Sequence, residues 1–277
     1  MNATTLAACS PALPAALLAG LGLASAPPAF AAETANDWEF RILGYGFFPD
    51  IQAHARFPAG GAAEIDISAE DLLENAHFAA MAAVEAQRGR FGAFVDLIYM
   101  DVGDSIRNVP AIGAGSLPLP PGITADAALH VEATVFTAGF GVRPLAGERV
   151  TLDAFAGMRK LDAETTLDWS FSAPFGPFVG PAQTGTARVT GDAWDAIAGV
   201  KGQASFGEDL SWFVPFYADI GAGDSDVTWQ AVAGLGYRFG SFEVIGTWRY
   251  LRYEFGAERR LQDLELNGPA IGVSYRW

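Results

Sequence analysis

From Trp38 to the end of the chain, apolar and polar residues alternate with a period of two. That spacing puts successive side chains on opposite faces of a β-strand. Residues 227–239 show it best. Val227, Trp229, Ala231, Ala233, Leu235, Tyr237 and Phe239 fall on one face, and Thr228, Gln230, Val232, Gly234, Gly236 and Arg238 on the other. Trp194, Ala196, Ala198, Val200, Gly202, Ala204 and Phe206 make a second apolar face, backed by Asp195, Lys201, Gln203 and Ser205. Trp212, Val214, Phe216, Ala218 and Ile220 make a third. The pattern predicts ten strands, roughly 37–48, 76–88, 90–103, 130–143, 149–161, 192–206, 211–221, 226–239, 241–256 and 264–277. Eight or twelve also fit, because 49–67 is ambiguous. Short turns at 88–90, 144–148, 207–209 and 240–241 alternate with longer connections at 49–75, 104–129, 162–191 and 257–263, with 222–225 a short exception. Residues 68–75 read as a short helix with Ser68 as N-cap and acids in the first turn.

Aromatic residues sit near the ends of the apolar faces, as interfacial girdles require. No apolar run in the body of the chain reaches the roughly 18–20 residues of a spanning helix. A chain of this kind crosses a bilayer as a closed barrel, because hydrocarbon cannot satisfy open strand edges. The final strand carries Ile271, Val273, Tyr275 and Trp277 on one face and Ser274 and Arg276 on the other. An apolar last strand finishing on an aromatic residue reads as the assembly signal of a bacterial outer-membrane barrel. Short inner turns, long outer loops and an even strand number put both ends in the periplasm.

The first 31 residues read as a signal peptide, leaving a barrel domain over 32–277. Residues 6–26 are apolar, small and uncharged, and Ala29-Phe30-Ala31 supplies a small-x-small cleavage site. The positive n-region is missing, which questions the start codon. Leu6-Ala7-Ala8-Cys9 resembles a lipobox, but too few residues precede Cys9 for lipidation. Cys9 is the single cysteine, so a mature chain would hold no disulfide. The expected fold is an all-β, antiparallel, up-and-down transmembrane β-barrel in the outer membrane. A soluble sandwich or lipocalin-like barrel would also alternate; the ends of the chain decide between them.

Several stretches carry a resemblance. They are Arg90-Phe91-Gly92-Ala93-Phe94-Val95-Asp96-Leu97-Ile98-Tyr99, the run from Ala218 to Gln230, Leu235-Gly236-Tyr237-Arg238-Phe239, Trp248-Arg249-Tyr250-Leu251, and Asn267-Gly268-Pro269-Ala270-Ile271-Gly272. Over about residues 38–277 the chain resembles a family of small bacterial outer-membrane β-barrel proteins, mostly of unassigned function. The resemblance implies a fold and a location. Its motifs are barrel grammar without a catalytic signature.

The charges change the picture further. With 32 Asp and Glu against 17 Lys and Arg, the net charge is −15, which argues against a nucleic-acid partner. The faces assigned to the lumen carry Glu39, Arg41, Glu85, Asp96, Asp153, Arg159, Asp195, Lys201, Asp219, Arg238, Glu243, Arg249 and Arg276. Acids and bases there nearly balance, which predicts a salt-bridged lumen with Asp96, Asp153, Lys201 and Arg249 near mid-depth. Arg276 and Glu39 are expected to pair where the last strand meets the first. The surplus acids then belong to strand tops and outer loops: Glu64, Asp66, Glu70, Asp71, Glu74, Asp101, Asp104, Asp126, Glu132, Asp162, Glu164, Asp168, Asp224 and Asp226. Such a rim suits divalent cations bridging to lipopolysaccharide. Asp224-Ser225-Asp226 lacks the further ligands of a calcium loop, so no specific metal site and no cofactor is expected. The Pro/Gly-rich segments 109–122 and 173–185 read as outer loops, with Phe171, Phe175 and Phe178 available to lipid or a partner.

Three functions follow in order of support. The first is a structural or surface-interaction barrel whose partners are outer-membrane lipid, lipopolysaccharide and the assembly machinery. The second is a narrow passive pore for small solutes. The third is an outer-rim lipid hydrolase using His54, His77 or His130 with Ser68, Ser105, Asp66 or Asp126. No nucleophile elbow or metalloprotease motif supports the last, so no catalytic residue is assigned and the chain reads as a non-enzyme.

Overall fold

Period-two alternation becomes fourteen strands in a computed structural model that describes residues 37–56, 62–70, 76–107, 124–172, 174–175, 178–179, 183–256, 258–259 and 261–277. They are β1 (Trp38–Phe47), β2 (Asp50–Arg56), β3 (Ala62–Ile67), β4 (Ala76–Arg88), β5 (Phe91–Arg107), β6 (Thr124–Ala146) and β7 (Val150–Ser172). The rest are β8 (Pro174–Phe175), β9 (Phe178–Val179), β10 (Gln183–Phe206), β11 (Trp212–Gly223), β12 (Val227–Phe239), β13 (Phe242–Glu254) and β14 (Leu261–Arg276). The predicted signal peptide and the 109–122 loop lie outside the described residues.

β1 and β2 act as one stave. Both pair with β14, through Arg41↔Arg276 to Phe47↔Ala270 and then Asp50↔Asn267 to Ala55↔Leu261. The break falls at Phe48-Pro49, where proline removes a backbone donor. On its other side β1 pairs with β4, while β2 folds against β3. The staves are therefore β1/β2, β4, β5, β6, β7, β10, β11, β12, β13 and β14, closed by the β1–β14 ladder into a ten-stranded antiparallel barrel. β8 and β9 form a separate two-residue hairpin.

Two sequence expectations need correcting. Residues 49–75 are not one loop, since β2 and β3 occupy much of them. Ala53, Ala55 and Ala63 give β2 and β3 too faint an apolar signal to be read. Ala69 and Glu70 do begin a helical turn, but its Ala69 amide donates to Asp50 Oδ1 at 2.8 Å; residues 71–75 lie outside the description. The connection at 162–191 is mostly strand, and β5 and β6 extend into 104–107 and 124–129. β6, β7 and β10 run for 23, 23 and 24 residues, far beyond the about 9–11 that cross a bilayer.

The side chains explain why the strands looked shorter. Toward the short turns, apolar residues face out: Ile42, Val95, Val142, Val200, Val214, Leu235 and Val273 are exposed, and charges face in. Farther up the same strands the polarity changes face without any change of register. On β7, Met158 points out and Arg159 in; two residues on, Leu161 is buried and Asp162 exposed. On β13, exposed Trp248 and inward Arg249 give way to buried Leu251 and Tyr253, with Arg252 and Glu254 outside. The lower wall has the apolar exterior that hydrocarbon demands. The upper wall is built like a water-soluble barrel around an apolar core.

Aromatic contacts mark the lower edge of the apolar band. Trp38, Phe40, Trp277, Tyr275, Phe242 and Phe239 form a continuous chain of ring contacts with centroids 5.0–6.0 Å apart. The face Ile271, Val273, Tyr275 and Trp277 lies on this outer wall. Inside, the cross-strand glycines Gly139 and Gly157 leave room for Phe94 and Phe155, whose rings meet edge to face at 4.9 Å. A Cβ on Gly157 would sit 2.0 Å from the Ala138 carbonyl oxygen. At the β10–β11 turn, Gly207 and Leu210 have φ of 91° and 55°. Asp209 holds this turn by accepting from the Ser211 hydroxyl and amide, and those donors lower its carboxyl pKa.

Val200 and Thr190 lie on the same outward face of β10 but on opposite sides of the polarity change. Val200→Arg is expected to cost about 2–4 kcal/mol in lipid vesicles, and Thr190→Arg close to nothing. Urea titration of the folded barrels measures both; equal losses would contradict a lipid boundary between them.

Candidate functional site: the charged lumen

The lower lumen encloses a cavity of about 660 Å³ whose walls include Glu39, Arg41, Glu85, Arg143, Lys201 and Arg276. It reaches the short-turn end, where Phe40, Gly240, Ser241 and Trp277 also line it. The alternating register brings charges from β1, β4, β5, β6, β7, β10, β13 and β14 to this space. Glu243 on β13, almost fully buried, meets Arg41 at 3.0 Å, Arg238 at 3.0 Å and Arg276 at 2.9 Å. Ser274 Oγ donates to the same carboxylate at 2.7 Å and accepts from Arg41 Nε at 3.2 Å. Glu85 on β4 joins this group, 3.7 Å from Arg41 and 2.9 Å from Lys201.

Higher up, Arg249 donates to Asp96 and to the Tyr45 hydroxyl, each at 2.9 Å, and Tyr45 donates to Asp96 at 2.6 Å. The guanidinium also lies over the Tyr45 and Phe47 rings. The most enclosed pair is Arg159–Asp219, with Tyr217 donating to Asp219 and Arg159 donating to Thr137 and Thr228. Above it the lumen is apolar. Phe47, Ile98, Leu161, Leu251, Tyr253 and Leu266 belong to one buried cluster that fills the upper barrel.

Of the thirteen lumen charges expected from sequence, eleven take part in these ion pairs or, for Asp153, in one with Arg143 at 2.6 Å. Asp195 instead accepts the Ser225 amide at 2.9 Å. Glu39 is exposed at the mouth. The expected Arg276–Glu39 closure pair does not form. Arg276 lies opposite Arg41, so Glu39 falls two positions past the last paired residue of β14; Arg276 turns to Glu243 and Gln203. All four charges expected near mid-depth, Asp96, Asp153, Lys201 and Arg249, line this one cavity. Sequence reasoning missed Arg143, which continues the inward register Thr137, Gly139, Gly141. It also missed Tyr45 and Tyr217, whose hydroxyls complete the two inner pairs.

The candidate rim histidines do not converge. His54 Nδ1 is 2.8 Å from Asp263 and His130 Nε2 is 3.6 Å from Asp101, both pairs on the outer wall. Their strands, β2 and β6, are separated by β4 and β5 in the barrel order. The side chains of His77, Ser105 and Asp126 lie outside the description, as do those of Phe171, Phe175 and Phe178. Asp224 and Ser225 tie the β11–β12 turn to β10, through the Trp194 amide and Asp195. Among the described residues, no group of three or more His, Cys, Asp or Glu side chains is placed to hold a metal ion.

Comparison with known proteins agrees with this architecture. No family model and no curated protein matches the chain. Among solved structures, the outer membrane protease OmpT from Escherichia coli superposes with a TM-score of 0.54 at 11% identity, over 89% of this chain and 99% of that one. Ail, the attachment invasion locus protein of Yersinia pestis, gives 0.30 at 12% identity, over 87% and 98%. The transport unit of the Escherichia coli autotransporter AIDA-I gives 0.38 at 9% identity, over 88% and 91%. The OmpT superposition bears on the fold, and at this identity on the fold alone. The chain has the fold of the bacterial outer-membrane β-barrels.

Glu243 is the common acceptor of β1, β12 and β14. Glu243→Gln keeps the shape but leaves Arg238 and Arg276 without their counter-charge and Arg41 with Glu85 alone. A loss of about 3 kcal/mol is expected, the low end of the range for a broken buried pair, because the arginines are partly solvated. Denaturant unfolding of the refolded barrel measures it; a loss below about 1 kcal/mol would show that Glu243 does not anchor the seam.

Proposed function

We propose that this protein is a non-conducting barrel of the bacterial outer membrane that presents its upper sheet as an interaction surface. The observation that carries the reading is the filled upper lumen. Phe47, Ile98, Leu161, Leu251 and Tyr253 are at most 1% exposed, and native packing of this kind leaves few voids larger than a water molecule. Ions entering the lower cavity meet first the Asp96–Arg249–Tyr45 group and then this apolar plug. The lumen therefore supports neither a passive pore nor a gate made by the salt-bridge network. The separated histidine pairs give no support to a rim hydrolase, so the reading is of a non-enzyme.

The location rests on the apolar band, its aromatic edge and the closed ladder, which suit a membrane-spanning barrel. The surface role rests on the overshoot of β5, β6, β7 and β10. Their upper outer face carries Glu132, Asp162, Glu164, Asp168 and Arg188. β10 pairs with β7 from Gln183 upward in number, but with β11 only from Asp195. Thr184, Thr186, Arg188 and Thr190 are exposed on the stretch without a β11 partner. An edge of this kind accepts an added strand.

Planar-bilayer recording of the refolded protein should show no channel steps, and Arg249→Ala should remain silent because the plug lies above it. Steps in the wild type would overturn the non-conducting reading; steps in the variant alone would make Arg249 the gate. An epitope inserted between Val179 and Gln183 should bind antibody on intact cells, and one inserted at Gly147 should not. The reverse pattern would refute this orientation.

A further inference from the structure

We propose that the mouth of the lower cavity is a binding site for a phosphate group. The site lies at the opposite end of the barrel from the interaction surface and stands independently of that reading. Its basis is a local charge imbalance. Arg41, Arg238, Arg276 and Lys201 are linked through only two carboxylates, Glu243 and Glu85. The connected group carries two surplus positive charges, although the whole chain is strongly acidic.

Its hydrogen bonding is also incomplete. Arg276, on the cavity wall, has a buried Nε without an acceptor; Arg238, which does not line the cavity, has the same at Nη2. Buried polar groups normally find partners, and a charged donor left without one is costlier than a neutral one. The remaining charges around the cavity do not answer this need. Asp153 is taken by Arg143, and Asp96 by Arg249. Glu39 is exposed, where water screens its charge.

Arg41, Lys201, Gln203 and Arg276 all line the cavity, so an incoming anion can reach them. They come from the paired staves β1 and β14 and, across the lumen, from β10. Such an arrangement suits a tetrahedral oxyanion better than a planar carboxylate, and a dianion matches the surplus. Arginine forks are well fitted to phosphate oxygens. The cavity volume lies within the range for small-molecule sites, so the phosphate can belong to a small organic molecule.

The test is calorimetric titration of the refolded barrel in an amine-oxide detergent, at constant ionic strength set with chloride. The probes are inorganic phosphate, glycerol phosphate and acetate. Saturable binding of inorganic phosphate is expected, with acetate at least tenfold weaker. Arg276→Gln should weaken phosphate at least tenfold, and Glu39→Gln should not weaken it. Tighter binding of glycerol phosphate than of inorganic phosphate would assign an organic ligand; the opposite order would assign the free ion. No saturable phosphate binding by the wild type, or equal binding by acetate, would overturn the proposal. Should Arg276→Gln fail to fold on a heat-modifiability gel, Lys201→Gln takes its place. Unchanged phosphate affinity in a folded variant of either residue would likewise refute the site.

Discussion

The constraint on which the structure depends is that the long staves of the wall must meet two different surroundings while keeping one alternation. A strand cannot turn its odd residues to the other face without a bulge. The chain keeps its register and exchanges the residue types instead. Below the change, Val95, Met158 and Val200 face out while Asp96, Arg159 and Lys201 face in. Above it, Asp101, Asp162 and Asp192 face out while Met100, Leu161 and Ala193 face in. Read as a membrane barrel, the exchange marks the level at which lipid gives way to water.

The two interiors follow from this. Where the exterior is hydrocarbon, burial of apolar surface gives no hydrophobic gain, and the interior must be held by polar contacts. Multivalent ion pairs serve that purpose: Glu243 joins three arginines, and Asp96 accepts from both Arg249 and Tyr45. Where the exterior is water, apolar side chains gain by facing inward, and the cluster from Phe47 to Leu266 results. Arg159–Asp219 lies next to this boundary with both side chains fully enclosed. Its remaining partners, Thr137, Thr228 and Tyr217, compensate the burial of the charges.

Much of the architecture was legible in period-two alternation. Ten staves, the β1–β14 closure and the inward set of charges all follow from it. The strand tops were not legible, because the outward apolar residues stop before the strands do. Beyond Lys160, β7 continues as Leu-Asp-Ala-Glu-Thr-Thr-Leu, still alternating but with its apolar face reversed. The break at Phe48-Pro49 hid β2 for a different reason, since proline interrupted a strand whose ladder to β14 resumes at once. Side-chain pairing was the least legible layer. Arg41 and Arg276 are opposite across the seam, a like-charge pair that only a third strand can resolve. Glu243 does so from β13, a contact that no two-strand register predicts.

That resolution has a consequence for the mouth. Placing two arginines opposite each other at the closing ladder, and adding Arg238 from β12, concentrates positive charge where a salt-bridged wall would need balance. If closure were the sole requirement, a carboxylate could have replaced either arginine. Instead Glu39 faces solvent, and two guanidinium nitrogens lack acceptors. The upper barrel spends its inward positions on an apolar plug, whereas the lower barrel keeps an accessible cavity beside this uncompensated cluster. A wall evolved only to stay shut would have little use for that cavity, so the phosphate site gives the open end of the lumen a role that the sealed end cannot share.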